Sequence, residues 1–186
     1  AASRLAKAAA KPGFALADRA FHVDTTDAEA VLAIARAERI EGISTTGTDV
    51  ALPALGRVAE ALGLPGPTAA AATRTTNKLL MRRACAPAGV RMPRFLAARD
   101  AEDAAGAAGE LGWPVMLKAT DSSGSRGIVR VDHAGQIAAA VAKVRAVTRR
   151  EEFLVEEFVT GDDFGTEAFV HRGRLAFLLP TGNLMA

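Results

Sequence analysis

The stretch from Pro114 to Val131, PVMLKATDSSGSRGIVRV, constrains this chain more than any other. Val115 to Ala119 and Ile128 to Val131 are short apolar runs rich in β-branched residues. Between them, Asp121 to Gly127 is all serine, glycine and charge, with no helical period, so the segment reads as a hairpin-like flap. Its glycines let the backbone approach an anion, and its N–H groups can converge on phosphate oxygens. Lys118 and Arg126 add positive charge. The loop opens into a strand and not a helix, which excludes the Walker A loop and the dinucleotide fingerprint. On the loop alone, a mobile polar turn and a phosphate cradle both remain open.

Two further stretches bear on that choice. FLVEEFVTGDDFGTE runs an apolar strand, Phe153 to Glu156, into paired carboxylates, two apolar residues and a turn at Thr160-Gly161. It reads either as a solvated acidic turn or as a purine-binding hinge. In the second case backbone groups near Glu157 to Val159 face the adenine edge, Glu156 accepts from its amino group, and Asp163 holds the ribose hydroxyls. Phe158 and Val159 then supply a dry wall. TTNKLLMRRACAPAGVRMP predicts a helix over about Thr76 to Ala86, with Leu79, Leu80 and Met81 apolar and Lys78 on the opposite, surface side. Pro87 and Gly89 stop it.

Upstream, helix and strand signals alternate. Phe21 and Val23 predict a short strand within Asp18 to Asp27, and Asp27 caps a helix from Ala28 to Arg39. Ile40 to Thr45 reads as a β-branched strand. Thr46 to Asp49 turns into a helix that runs to Leu62, with Asp49 as its cap and Gly63 as its stop. Such alternation implies a parallel sheet, so Phe14 to about Gly66 reads as part of a Rossmann-like α/β unit without its first strand and glycine turn. Leu64 to Pro67 is a linker. Val90 to Leu96 is extended, and Asp100 caps an alanine helix ending at Leu111-Gly112. Further on, a helix spans Ala134 to Val147. Gly165 to Val170 and Leu175 to Leu179 form a hairpin about His171 to Arg174.

Composition narrows the function. Aromatic residues are 5% of the chain and tyrosine is absent, which speaks against a base-stacking nucleic-acid surface. The 23 Lys and Arg against 21 Asp and Glu leave no polybasic stripe. Cys85 stands alone, so neither an intrachain disulfide nor a thiolate metal cluster is expected, and the pattern is that of a cytoplasmic chain. No apolar run is long enough to span a membrane. His22, His133 and His171 lack metal-ligand spacing. The alanine excess predicts helices packed closely on small faces.

Taken in order, the helix-borne Asn77-Lys78, the AGV-x-x-P run from Ala88 to Pro93, GWPVMLKATDSSGSRG, VEEFVTGDD and the strand carrying Glu167 resemble the ATP-grasp superfamily. GTDVALPALGRVAEALGLPG is similar to the end of the pre-ATP-grasp domain that precedes such enzymes. The resemblance implies an α/β (α+β) fold: a partial pre-ATP-grasp domain over residues 1–70, a connecting helical segment over 71–112, a lid subdomain over 113–158, and the start of the C-terminal subdomain over 159–186. It implies ATP held between two lobes. Lys78 and Lys118 contact the phosphates, and the flap residues Ser122, Ser123, Gly124, Ser125, Arg126 and Gly127 cover them. Glu156, Glu157, Phe158 and Val159 line adenine, and Asp163, one methylene shorter than the family's usual Glu, meets the ribose.

The implied activity is ATP-dependent ligation of a carboxylate to an amine through an acyl-phosphate. Its substrates are small molecules, of amino-acid or peptide type because the DSSGSRG flap resembles those ligases more than the glycine-richer flap of biotin carboxylases. A homodimer is compatible with it. A carbamoyl-phosphate-synthase-like or biotin-carboxylase-like enzyme and a non-catalytic nucleotide-binding module stand as alternatives. The resemblance also implies Mg²⁺, with its carboxylate and asparagine ligands outside this segment, which reads as truncated at both ends. Asn183 has no acidic neighbour.

Overall fold

The computed structural model describes residues 12–45, 48–162 and 164–182. Its centre is a four-stranded antiparallel sheet in the order β1-β4-β2-β3, made of β1 (Phe95–Ala98), β2 (Val115–Lys118), β3 (Ile128–Val131) and β4 (Phe153–Glu157). Strand alternation gives the sheet two different faces. Val115, Leu117, Val131, Phe153 and Val155 point to one face and are fully buried. That face is covered by α6 (Ala101–Leu111) and α7 (Ile137–Arg145), which contribute Ala104, Ala108, Leu111, Ala140 and Val144 to the same core. Met116, Lys118, Leu154 and Glu156 share the opposite face, as their register dictates.

A run of helices leads to that second face. α1 (Pro12–Leu16) is followed by α2 (Ala28–Glu38), α3 (Leu52–Leu62), α4 (Ala69–Thr75) and α5 (Lys78–Cys85), and from α2 onward each packs on the next. α5 also packs on β4. Small residues permit the close approach of α3 and α4. A Cβ on Gly56 would lie 2.8 Å from that of Ala72 and 3.0 Å from the Thr68 carbonyl oxygen. The alanine-rich packing expected from composition is therefore present where these helices meet.

Capping residues set the helix ends much as expected. Asp27 and Asp100 each accept a hydrogen bond from an N–H in the first turn of α2 and α6; Asn77, which the expected helix from Thr76 places inside it, instead caps α5 in the same way. Gly63 closes α3 with a left-handed φ of 65°. Other expectations fail. α3 begins at Leu52, and Asp49 contributes only its carbonyl oxygen, which accepts from the Leu52 N–H. α4, capped by Thr68, occupies the stretch between the expected linker, Leu64 to Pro67, and the expected helix from Thr76, for which no separate helix is expected.

Neither Asp18–Asp27 nor Ile40–Thr45 forms a strand in the described residues, and no parallel sheet occurs among them. A strand needs a paired neighbour, and these segments find none. Instead the Arg19 guanidinium lies 5.4 Å from the Phe21 ring centre, and Ile40 and Ile43 pack on Leu32, Ala35 and Val58. Ile40 and Ile43 are thus covered by helices without a ladder, while Phe21 stays exposed. Phe95–Leu111 shares the sheet and core of residues 115–157.

β5 (Phe164–His171) and β6 (Arg174–Gly182) form the expected hairpin, turned at Arg172 and Gly173 with φ of 49° and 73°. Consecutive positive φ values are those of a two-residue type I′ turn. No described helix is long and apolar enough to cross a membrane.

At the foot of the flap, Gly127 adopts a φ of +67°, and an added Cβ would sit 2.3 Å from Val147 Cγ2 and 2.9 Å from Ala119 Cβ. Gly124 has a similar φ of +66° but open space around it. Gly124→Ala is expected to cost about 1 kcal/mol for the left-handed backbone alone, and Gly127→Ala at least about 2 kcal/mol more, in urea unfolding.

Candidate functional site

Three elements meet at the root of the flap: the C-terminal end of β2, the N-terminal turn of α5, and β4. The hairpin continues beyond its paired strands through the Ala119 N–H, which donates to the Gly127 carbonyl at 2.8 Å. The next residue, Thr120, is buried, and its hydroxyl donates to the Glu152 carbonyl at 3.3 Å. Its own carbonyl accepts from the Lys78 N–H at 3.0 Å. Asp121 then accepts from the Thr148 hydroxyl at 2.6 Å and from the Arg149 N–H at 3.1 Å. The Lys78 ammonium donates to the Ser122 carbonyl. Residues 119–122 are thus fixed from three directions, by α5, by the loop after α7 and by the approach to β4.

The tip is differently organised. Gly124 and Ser125 have φ of 66° and 58°, so two successive residues are left-handed. The Ser122 hydroxyl donates inward to the Arg126 carbonyl at 2.7 Å, and Arg126 Nε donates to the Ser123 carbonyl at 3.2 Å. Ser123, Gly124, Ser125 and Arg126 are exposed.

Beneath the flap lies a buried carboxylate. Glu156 is 1% exposed. Its Oε1 accepts from Arg82 Nε and pairs with Arg82 Nη2, each at 2.7 Å, and its Oε2 meets Lys118 Nζ at 2.5 Å. Burial of a lone carboxylate is strongly unfavourable, and two cations offset it here, Arg82 through a directed hydrogen bond as well as its charge. Lys118 lies diagonally across from Glu156 in the β2–β4 register, and Arg82 approaches from the last turn of α5. Lys78 and Arg82 are four residues apart and so project from one face of that helix. Lys78 is half-buried and aimed at the flap, where the sequence alone placed it on the surface. Desolvation pulls its ammonium below the ordinary lysine range, and the nearby charge of Lys118 adds to this; Asp121, Asp49 and Glu156 act in the opposite direction.

The hinge after β4 is pinned by its own contacts. The Glu157 N–H donates to the Arg94 carbonyl at 3.1 Å, and the Phe158 N–H to that of Pro114 at 3.2 Å. The Glu157 carboxylate pairs with Arg94 at 2.8 Å. The Arg130 guanidinium stands 4.3 Å from the centre of the half-buried Phe158 ring. Val159 is 61% exposed. Asp163 lies outside the described residues, as do Thr46 and Gly47.

An open cleft of about 720 Å³ borders the flap tip, lined among others by Thr48 and Asp49, by Ser123 and Arg126 of the flap, and by Glu167 on β5. Its volume falls within the range of small-molecule sites. Among the described residues no group of three or more His, Cys, Asp or Glu side chains is arranged to hold a metal ion.

The structure thus brings Lys78, Lys118, Glu156 and the flap together. It turns the Ser122 hydroxyl and the Arg126 side chain inward upon the loop itself. Sequence reasoning missed Arg82, although its four-residue spacing from Lys78 was a signal, and it gave no role to Thr120 or Thr148, which act only through contacts distant in sequence.

Residues 74–163 match the family model described as carbamoyl-phosphate synthase L chain, ATP binding domain. The chain is 36% identical over 137 residues to a D-alanine–D-alanine ligase of Herminiimonas arsenicoxydans, a match covering 68% of this chain and 39% of that protein. It is 30% identical over 183 residues to a formate-dependent phosphoribosylglycinamide formyltransferase of Synechococcus sp. (strain CC9311), covering 94% of this chain and 46% of the relative. Among solved structures, phosphoribosylglycinamide synthetase from Anaerococcus prevotii aligns with a TM-score of 0.67 and 26% identity, covering 91% of this chain and 42% of that one. The chain therefore spans less than half the length of these relatives.

Two outcomes follow from the ion cluster. Removing both cations, with Arg82→Met and Lys118→Met, strands Glu156 and is expected to cost about 3–5 kcal/mol in urea unfolding, most of it recovered by adding Glu156→Leu. For Lys78, the depressed folded value means that the unfolded chain binds more protons between that value and 10.5. The cost of burying its charge is present in full below the folded value and fades as pH rises through that interval. The stability of the protein relative to its Lys78→Met variant is therefore expected to rise over the same interval, measured by urea unfolding across alkaline pH.

Proposed function

The chain belongs to the ATP-grasp superfamily, and from that premise we propose that it binds ATP between the flap and the β4 hinge, as part of an enzyme that joins a carboxylate to an amine. The observation that carries the reading is the convergence at the flap root of Lys78 from a helix and Lys118 from a strand, beside a loop with left-handed backbone at its tip. Phosphate oxygens need cations and N–H donors held in advance, and this arrangement supplies both.

In this reading Lys78 and Lys118 meet the phosphates, and Ser122 to Gly127 close over them. The amides of Glu157 and Phe158 are already used within the chain, which leaves the Val159 N–H and the carbonyl groups of the hinge for the adenine edge. Phe158, stiffened by Arg130, forms one wall of the purine slot. Glu156 acts on adenine with its remaining lone pairs while Arg82 holds its charge. Asp163 takes the ribose hydroxyls. We extend the lid subdomain to Phe95–Glu157, because β1 and α6 share its sheet and core; residues from 159 onward open the C-terminal subdomain.

The reaction is the transfer of the terminal phosphoryl group of ATP to a substrate carboxylate oxygen, releasing ADP. Attack of an amine on the acyl carbon then expels phosphate and forms the amide. Mg²⁺, held by residues other than those described, would neutralise the transferring phosphate. The acceptor occupies the 720 Å³ cleft, where Arg126 suits a carboxylate and Asp49 and Glu167 suit an ammonium, which favours substrates of amino-acid or peptide type. The named D-alanine–D-alanine ligase relative fits that class. A cytoplasmic location and a homodimer complete the reading.

Calorimetric titration with a non-hydrolysable ATP analogue tests the site. Lys118→Ala is expected to weaken binding at least about tenfold relative to the unmodified protein. Equal affinities would overturn the assignment.

A further inference from the structure

Glu156 has two cationic partners of unlike kind. Lys118 Nζ meets Oε2 at 2.5 Å, while Arg82 directs both Nε and Nη2 at Oε1, each at 2.7 Å. The lysine is a compact charge on a flexible stem and has two further donors to offer. The arginine is a planar fork that has committed two donors to one oxygen. Both are about one-fifth exposed, against 1% for Glu156. Neighbouring cations are otherwise engaged: Lys78 donates to the Ser122 carbonyl, and Arg83 pairs with Glu152.

We propose that Arg82 is the standing counter-ion of Glu156 and a positioning residue for Lys118: by keeping the buried carboxylate compensated, it lets Lys118 turn from Glu156 to a phosphate of the bound nucleotide. The inference rests on the nucleotide-binding reading above and adds to it a residue acting through others. A lysine that is the only partner of a buried carboxylate cannot leave without stranding that charge. With Arg82 present, Oε1 keeps its hydrogen bond from Nε and its ion pair with Nη2 whichever way Lys118 points. Lys118 can then exchange one anionic partner for another at little cost. Without Arg82, Lys118 is locked to Glu156, and the phosphate chain loses a ligand although the lysine is still in place.

The affinity gained from the phosphates is the quantity to follow, taken as the ratio of binding constants for a non-hydrolysable ATP analogue, by calorimetry, and for adenosine, by NMR titration. Arg82→Met is expected to lower that ratio about tenfold, with adenosine affinity changed less than about threefold. Adding Glu156→Gln removes the charge that detains Lys118, so the ratio in Arg82→Met/Glu156→Gln is expected to return to within about threefold of the unmodified protein. A merely structural arginine would not be rescued in this way. Arg82→Lys, which keeps the charge without the fork, carries the same comparison if thermal unfolding shows Arg82→Met to be unfolded; its ratio should fall between the two. An unchanged ratio in Arg82→Met or Arg82→Lys, or no recovery with Glu156→Gln, overturns the role of Arg82 while leaving nucleotide binding intact. Failure of the unmodified protein to bind the ATP analogue overturns both.

Discussion

The buried carboxylate of Glu156 is the point around which this structure is arranged. A charge almost wholly removed from water must be answered within the protein, and the answer draws together elements that are far apart in sequence. Lys118 comes from β2 and Arg82 from α5. The same contact that satisfies an electrostatic requirement therefore fixes how the helical run sits on the open face of the sheet. Because Lys78 lies on the same face of α5 as Arg82, orienting the helix for one residue also aims the other at the flap.

The two faces of the sheet divide the work. One is closed by α6 and α7 over an apolar core of Val115, Leu117, Val131, Phe153 and Val155. Burial on that side supplies cohesion without regard to chemistry. The other carries charge under partial cover, and its polar groups are held by directed bonds. Strand alternation makes this separation possible within segments of four or five residues, since Lys118 follows Leu117 and Glu156 follows Val155. Among the described residues no buried side-chain polar atom lacks a partner, so the charged face is as fully resolved as the apolar one.

Much of this was legible in the sequence because it is local. Asp27, Asp100 and Gly63 act on their own helices through bonds spanning a few residues, and the flap strands announce themselves by composition. The hairpin about Arg172-Gly173 is likewise set by its turn. Ile40 and Ile43 have the composition of strand residues, but Leu32, Ala35 and Val58 cover them, so no parallel sheet forms among the described residues. Thr68 before four alanines carries the capping signal of α4, which the linker-like prolines before it mask. At the site, Lys118 and Glu156 were legible as types in a pattern. Their mutual contact, the engagement of Glu157 by Arg94 and the whole role of Arg82 depend on pairings across 38 to 74 positions, which no local period reveals.

The division of the flap into a bonded root and an exposed tip has a consequence for conformational entropy. Ordering a backbone residue costs about 1–2 kcal/mol, and residues 119–122 have met that cost in the folded chain through Gly127, Lys78, Glu152, Thr148 and Arg149. Whatever ordering a ligand imposes on the loop falls on the four residues Ser123 to Arg126. Two of these, Gly124 and Ser125, already hold a left-handed backbone, which narrows the ensemble to be selected. If the flap closes over a nucleotide as proposed, only its tip remains to be ordered, and less of the binding energy goes to ordering than for a loop free along its whole length.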